Sequence, residues 1–118
     1  MFPAENIRDW RGRAVVDADG RKIGELEAVY VDTVTDEPAF VTVKVGMIGR
    51  HRLTFVPLAD AKVSPNHVRL SIRRDQAKGA PSIDTDGELL ATMEPDLFSH
   101  YGIEYTPGAA GERRLARR

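Results

Sequence analysis

The chain has 118 residues, of which 17 are Lys or Arg, 18 are Asp or Glu and none is Cys. This length is typical of one domain with its own core, and the net charge of −1 argues against nucleic-acid binding through bulk positive charge. Because Cys is absent, disulfides, thiolate metal sites and a Cys nucleophile are excluded.

The segment from residue 15 to residue 32 predicts a β-hairpin. Asp17-Ala18-Asp19-Gly20 lies between two β-prone pieces, and an Asp- and Gly-containing segment in that position is typical of a tight turn. The strand after the turn alternates at first and then becomes apolar on both faces, as a strand entering a core does. Gly24 within it predicts a bulge or bend.

The middle of the chain predicts two further long strands and a short hairpin. Residues 39–45 form the clearest strand pattern, because Val41, Val43 and Val45 lie on one face of the predicted strand. Residues 52–58 form the next strand, which Pro57 should end because proline donates no ladder hydrogen bond. Two short pieces, residues 61–63 and 67–72, flank a Ser-Pro-Asn turn signal and predict the hairpin.

Two short helices are expected after these strands. Residues 73–80 predict a helical turn that Gly79 and Pro81 stop. Residues 92–102 predict a small helix with Thr92 as N-cap, because the Thr hydroxyl can accept a hydrogen bond from an unpaired N–H of the first turn. Its large apolar side chains share one face, so we expect this helix to pack on the sheet.

The last segment has almost no large apolar side chains, and we therefore expect it to be disordered. Residues 112–118 carry four Arg and one Glu, a net charge of +3 that leaves −4 for residues 1–111. The expected organisation is one domain over residues 1–105 followed by a disordered basic tail over residues 106–118.

Several segments, taken in order, resemble the PRC-barrel domain family. Residues 10–17, Trp-Arg-Gly-Arg-Ala-Val-Val-Asp, and residues 22–26, Lys-Ile-Gly-Glu-Leu, resemble the opening of that domain. Residues 32–45 and 52–58 resemble its following strands, and His100-Tyr101-Gly102 resembles the C-terminal extension of small stand-alone bacterial members. The resemblance implies an all-β fold, a small partly open barrel of about six strands with a short C-terminal helical appendage.

The resemblance also implies a class of function. The family includes the cytoplasmic barrel of the photosynthetic reaction-centre H subunit and the C-terminal domain of the ribosome maturation factor, and nothing in these residues selects between such settings. What the resemblance implies is a non-catalytic protein-interaction or scaffolding module that associates with itself, as a homodimer, and with an unidentified protein partner.

The residues themselves predict no catalytic site, metal site or cofactor. The Asp-x-Asp-Gly segment fails the register of a calcium loop, because the bidentate acid would fall on Leu26. His51, His67 and His100 are scattered and lack the spacing of metal ligands. The sequence contains no nucleophile elbow, phosphate-binding loop or dinucleotide fingerprint, so we do not expect an enzyme.

Met47 and Ile48 are the candidate contact for a partner or a second copy. They lie in a predicted turn, where nothing local favours apolar side chains, and exposed apolar groups of this kind mark contact surfaces. A small-ligand site inside the barrel is an alternative, since some barrels enclose one ligand.

Basic residues support a different alternative, an RNA- or ribosome-associated protein. Four arginines of the tail and three basic residues near the predicted turn form the candidate nucleic-acid contact: Lys44, Arg50, Arg52, Arg113, Arg114, Arg117 and Arg118. The competing interpretation is a solvated turn and a solubilising tail. Anionic-lipid contact is not expected, because four Arg with one Leu bind a membrane only marginally.

We expect a cytoplasmic protein without a membrane span. The first residues lack the basic start and apolar run of a signal peptide. No run approaches the roughly 18 apolar residues of a spanning helix.

Overall fold

The computed structural model describes residues 4–108 and 112–118, with side chains from Ile7 onward. Over these ranges eight strands form one sheet that does not close on itself, in the order β5-β6-β1-β2-β3-β4-β7 with β8 paired to β2. The expected partly open β-barrel with a short helix near the C-terminus is confirmed. The strands are β1 (Ala14–Val16), β2 (Lys22–Asp32), β3 (Pro38–Val45), β4 (Arg52–Pro57), β5 (Lys62–Val63), β6 (His67–Arg69), β7 (Ser82–Asp84) and β8 (Leu115–Arg117), and the α-helices are α1 (Arg74–Lys78) and α2 (Glu94–His100).

The predicted hairpin at the start of the sheet is confirmed. β1 and β2 pair antiparallel, and their register shifts between Val15 and Val16, which is the irregularity expected beside Gly24. A Cβ on Gly24 would lie 2.2 Å from the carbonyl oxygen of Lys44. Only glycine therefore permits β2 to approach β3 this closely.

β2 is the longest strand and organises the sheet. β3 runs antiparallel along one edge of β2. On the other edge β1 pairs with the first residues of β2, and β8 pairs with Tyr30, Val31 and Asp32 near its end. β4 pairs with β3 and ends at Pro57, as predicted. The β5–β6 hairpin is also confirmed, and β6 pairs with β1 in parallel.

The central strands are buried on both faces. Successive side chains of a strand point to opposite faces, and those of β2, β3 and β4 accordingly divide between two core clusters. One cluster, on the face shared with β1 and β6, includes Val29, Val41 and Val56. The other, on the face covered by the C-terminal segments, includes Tyr30, Phe40, Phe55, Leu89, Leu97, Phe98 and Leu115.

The helices differ slightly from expectation. α1 ends at Lys78 with Gly79 as its C-cap, as predicted. α2 begins at Glu94, and a 3₁₀ turn, Ala91–Met93, precedes it, so the assignment of Thr92 as N-cap is wrong. The first turn of α2 tolerates Pro95 because the N–H groups of a first turn have no intrahelical partners. The expected packing on the sheet is confirmed by a ring contact of 5.3 Å between Phe98 and Phe40.

The expected disorder after residue 105 is wrong for Leu115–Arg117, which form β8. Leu115 is fully buried on the sheet, and its burial adds to the pairing of the strand's backbone groups with β2. Residues 109–111 of the predicted tail lie outside the described residues. β7 and an N-terminal 3₁₀ helix, Ala4–Trp10, were not predicted from the sequence.

Candidate interaction surfaces

The hairpin tip, residues 46–50 between β3 and β4, presents the most exposed large apolar side chains of the described chain. Met47 is 78% exposed and Ile48 is 95% exposed, whereas Val34 and Leu90 elsewhere reach 61% and 50%. The amide of Arg50 donates to the Met47 carbonyl at 2.8 Å and closes the turn. The candidate contact residues Met47 and Ile48 are therefore exposed to solvent at one end of the sheet.

The three basic residues near the hairpin tip are not equivalent. Lys44 and Arg50 are exposed. Arg52 is exposed too, but its guanidinium contacts the carboxylate of Asp84 at 2.7 Å and donates to the Ser82 hydroxyl at 2.8 Å, which ties β4 to β7. One of the three predicted basic contacts, Arg52, is thus paired with residues of the same chain.

Three of the four C-terminal arginines pair with carboxylates. Arg114 contacts Asp32, Arg117 contacts Glu27 and Arg118 contacts Asp36, at 2.5, 2.6 and 3.3 Å. Arg113 is exposed, and its carbonyl accepts a hydrogen bond from the Thr33 hydroxyl at 2.7 Å. These ion pairs offset most of the positive charge that the sequence places in this segment.

The structure does not bring the two groups of basic residues together. β8 lies beside Tyr30 of β2, and the cross-strand partner of Tyr30 on β3 is Phe40. Lys44 is four residues further along β3, a separation of about 13 Å along the strand. A nucleic-acid contact through these residues stays a prediction, and it would have to use two separate patches.

A buried carboxylate holds β8 in place. The side chain of Glu94 is fully buried; its oxygens accept from the amides of Arg114 at 2.9 and 3.1 Å and of Leu115 at 3.0 Å, and from the Tyr105 hydroxyl at 2.8 Å. Nothing in the sequence marks this residue, since a Glu in the first turn of a helix is usually a solvated, dipole-favoured side chain. We call this arrangement the Glu94 clasp.

The Asp32–Arg114 pair completes the attachment of the C-terminal segment. Burial raises the pKa of Asp32, but hydrogen bonds from Arg114, Val34 and Thr35 outweigh it and leave that pKa below its ordinary value of 3.8. The hydrogen bond with Asp32 also raises the pKa of Arg114. Asp32 is therefore an ionised structural residue.

The Asp-x-Asp-Gly turn is likewise structural. Asp17 is buried, and its carboxylate accepts from the amides of Asp19, Arg21 and Arg74 at 2.9, 2.8 and 2.9 Å. Burial raises the pKa of Asp17, but the hydrogen bonds from these backbone N–H groups lower it by more, so the pKa lies below its ordinary value of 3.8. The carboxylate thus links the first hairpin to the start of α1, a role that the spacing of the turn alone did not indicate.

The histidines do not converge. His51 contacts the Val45 carbonyl, His67 contacts the Ser64 hydroxyl, and His100 contacts the Gln76 carbonyl. Within residues 4–108 and 112–118 no three His, Asp or Glu side chains are arranged to hold a metal ion.

An open groove of about 550 Å³ lies beside the C-terminal attachment. Phe40, Leu58 and Phe98 line it with apolar surface, and the Asp32–Arg114 pair contributes charge. Its volume is within the range of small-molecule sites. The small-ligand site expected as an alternative was inside the barrel, and it stays a prediction.

Comparison with known proteins identifies the first two thirds of the chain. A family model described as PRC-barrel domain matches residues 3–77, a range that contains β1 to β6 and most of α1. A search of the curated proteins finds no match to the chain. Among the helices of the described ranges, none has the length and apolar character needed to cross a membrane.

Proposed function

The chain belongs to the PRC-barrel domain family, and we propose that it acts as a non-catalytic protein-interaction module that associates with itself through the hairpin tip. PRC-barrel domains are in general small, non-catalytic interaction modules, which supports the broader part of the proposal. The observation that carries the narrower part is the exposure of Met47 and Ile48.

A symmetric contact would bring these two side chains against their own counterparts. In a twofold dimer the same patch is used by both copies, so four large apolar side chains would leave water together. Full burial of each contributes about 1.5 to 3 kcal/mol, against an association cost of about 4 to 15 kcal/mol. Because these terms are comparable, we expect a weak dimer that depends strongly on both side chains.

The surroundings of the pair resemble the rim of an interface. Lys44 precedes the tip and Arg50 is its last residue; both are exposed, and Glu25 is the cross-strand partner of Lys44. Charges of both signs around an apolar centre are typical of interfaces, where they orient the partners.

Sedimentation velocity over a range of protein concentrations tests the proposal. We expect the sedimentation coefficient of the wild type to rise with concentration, and that of the double variant Met47→Glu/Ile48→Lys to stay at the monomer value. The double variant Val34→Lys/Leu90→Glu is the matched control, because it changes exposed apolar residues away from the tip, and it should behave as the wild type does. A wild type that is monomeric throughout, or a tip variant that associates normally, contradicts the proposal.

A further inference from the structure

A second cavity, of about 320 Å³, lies between α1 and the strands that lead to the hairpin tip. One part of its lining is cationic and consists of Lys22, Arg74 and Lys78. Another part is apolar and includes Ile23 and Val45. We call it the cationic cavity.

The charge in the cationic cavity has one sign. Its described lining includes no acidic residue. Two carboxylates near the start of α1 have other partners: Asp17 accepts hydrogen bonds from the amides of Asp19, Arg21 and Arg74, and Asp19 lies 3.7 Å from the guanidinium of Arg73. Asp75 belongs to α1 but does not line the cavity. Three cations around one small space repel one another, and an anion inside the cavity would remove that repulsion.

Two of the three cations belong to α1. Arg74 and Lys78 are four residues apart in a helix of only five residues, so they lie on one face. Two like charges at this spacing destabilise a helix. The placement of both on the cavity side is therefore mildly unfavourable, and a negative group between them would relieve the repulsion.

Arg74 supplies an independent observation. Its Nε is the buried side-chain nitrogen or oxygen that lacks a hydrogen-bond partner among the residues the structure describes. A buried donor without an acceptor is costly and rare in folded proteins. Arg74 also lines the cavity, and a small rotation of its side chain would bring this covered nitrogen to an oxyanion there.

We propose that the cationic cavity binds a small molecule that carries a phosphate group. A phosphate dianion has enough charge and enough acceptor oxygens for three cationic side chains, and guanidinium groups match its geometry. The apolar part of the lining would contact the organic portion of the ligand. The volume is near the lower limit for small-molecule sites, which favours a short phosphate monoester.

Isothermal titration calorimetry with inorganic phosphate and glycerol 3-phosphate, at constant ionic strength, tests this assignment. We expect one saturable site, with tighter binding of the ester. Lys22→Gln and Lys78→Gln should each weaken binding about tenfold or more, because each removes a charge-assisted hydrogen bond. Both lysines are exposed at the surface, so these variants should fold normally. Without phosphate their thermal stability should equal or slightly exceed that of the wild type, because each removes like-charge repulsion.

Lys62→Gln is the matched control, since it removes one exposed lysine of β5 that does not line the cavity. It should bind phosphate as the wild type does. The proposal is overturned if neither probe binds saturably at millimolar concentration, or if Lys62→Gln weakens binding as much as Lys78→Gln. Equal or tighter binding of succinate overturns the choice of phosphate as the ligand group. Gly46 of the hairpin tip also lines the cavity, but Lys22→Gln and Lys78→Gln leave Met47 and Ile48 unchanged, so these variants separate phosphate binding from self-association.

Discussion

Replacement of Glu94 by Gln tests the claim that one buried carboxylate holds the C-terminal strand. The carboxylate accepts from the amides of Arg114 and Leu115 and from the Tyr105 hydroxyl. In Gln one of the two oxygens becomes an NH₂ group, which cannot accept a hydrogen bond. At least one buried donor then loses its acceptor, and the remaining bonds lose their charge assistance.

The expected loss of unfolding free energy is about 3 kcal/mol. A buried donor without an acceptor costs about 1 to 3 kcal/mol, and the change from charged to neutral acceptors adds about 1 kcal/mol for each remaining bond. The smaller desolvation cost of a neutral amide offsets part of this sum. For a domain of this size the loss corresponds to a decrease in Tm of about 12 °C.

Urea denaturation of the wild type and of Glu94→Gln measures this loss directly. Glu104→Gln is the matched control, because Glu104 is exposed and its replacement should change the unfolding free energy by less than about 0.5 kcal/mol. Hydrogen exchange adds a local reading, since the amides of Arg114 and Leu115 should lose more protection than those of β3. If Glu94→Gln is as stable as Glu104→Gln, the clasp does not hold β8 and the reasoning is wrong.

Three further predictions concern the other polar groups. Asp17→Ala should lower the unfolding free energy by about 3 kcal/mol, because three backbone donors lose a charged acceptor, while Asp19→Ala should cost less than about 1 kcal/mol in the same urea titration. The pKa of Asp32 is lower in the folded protein than its ordinary value of 3.8. The stability that Asp32 contributes is therefore present above pH 3.8 and is lost as the pH falls through the folded pKa. The thermal unfolding of Asp32→Asn should accordingly depend less on pH in this range than that of the wild type. If Lys44 and Arg50 contact RNA, Lys44→Gln/Arg50→Gln should flatten the plot of log affinity against log salt by about 1.4 for a single-stranded probe, and an unchanged slope in fluorescence polarisation would remove both residues from the contact.

The first hairpin shows how far local patterns reach. Asp17 to Gly20 predicted the turn, and Gly24 predicted the irregularity, because both effects arise from backbone conformation within a few residues. The same reasoning placed the end of β4 at Pro57. It did not show that the Asp17 carboxylate reaches Arg74, which is 57 residues away.

The candidate site was predicted only in part. The sequence identified Met47 and Ile48 as apolar residues in a turn, and the structure shows both to be highly exposed. It also grouped the basic residues by composition, whereas the fold separates them and pairs three C-terminal arginines with carboxylates. The cationic cavity was not predicted, because its cations come from β2 and α1, which are far apart in the chain.

The C-terminal segment shows the difference between what short-range sequence patterns determine and what long-range contacts determine. By itself, the sequence determined the family, the turns and the principal strands, since these depend on periodicity and on short-range backbone preferences. Only the tertiary structure decided that Leu115–Arg117 form a strand, because the segment is too polar to fold alone and is stabilised by Glu94 and by the edge of β2 that β1 leaves open. Such contacts join residues that are 20 to 87 positions apart, and their free energy exists only once the sheet has formed.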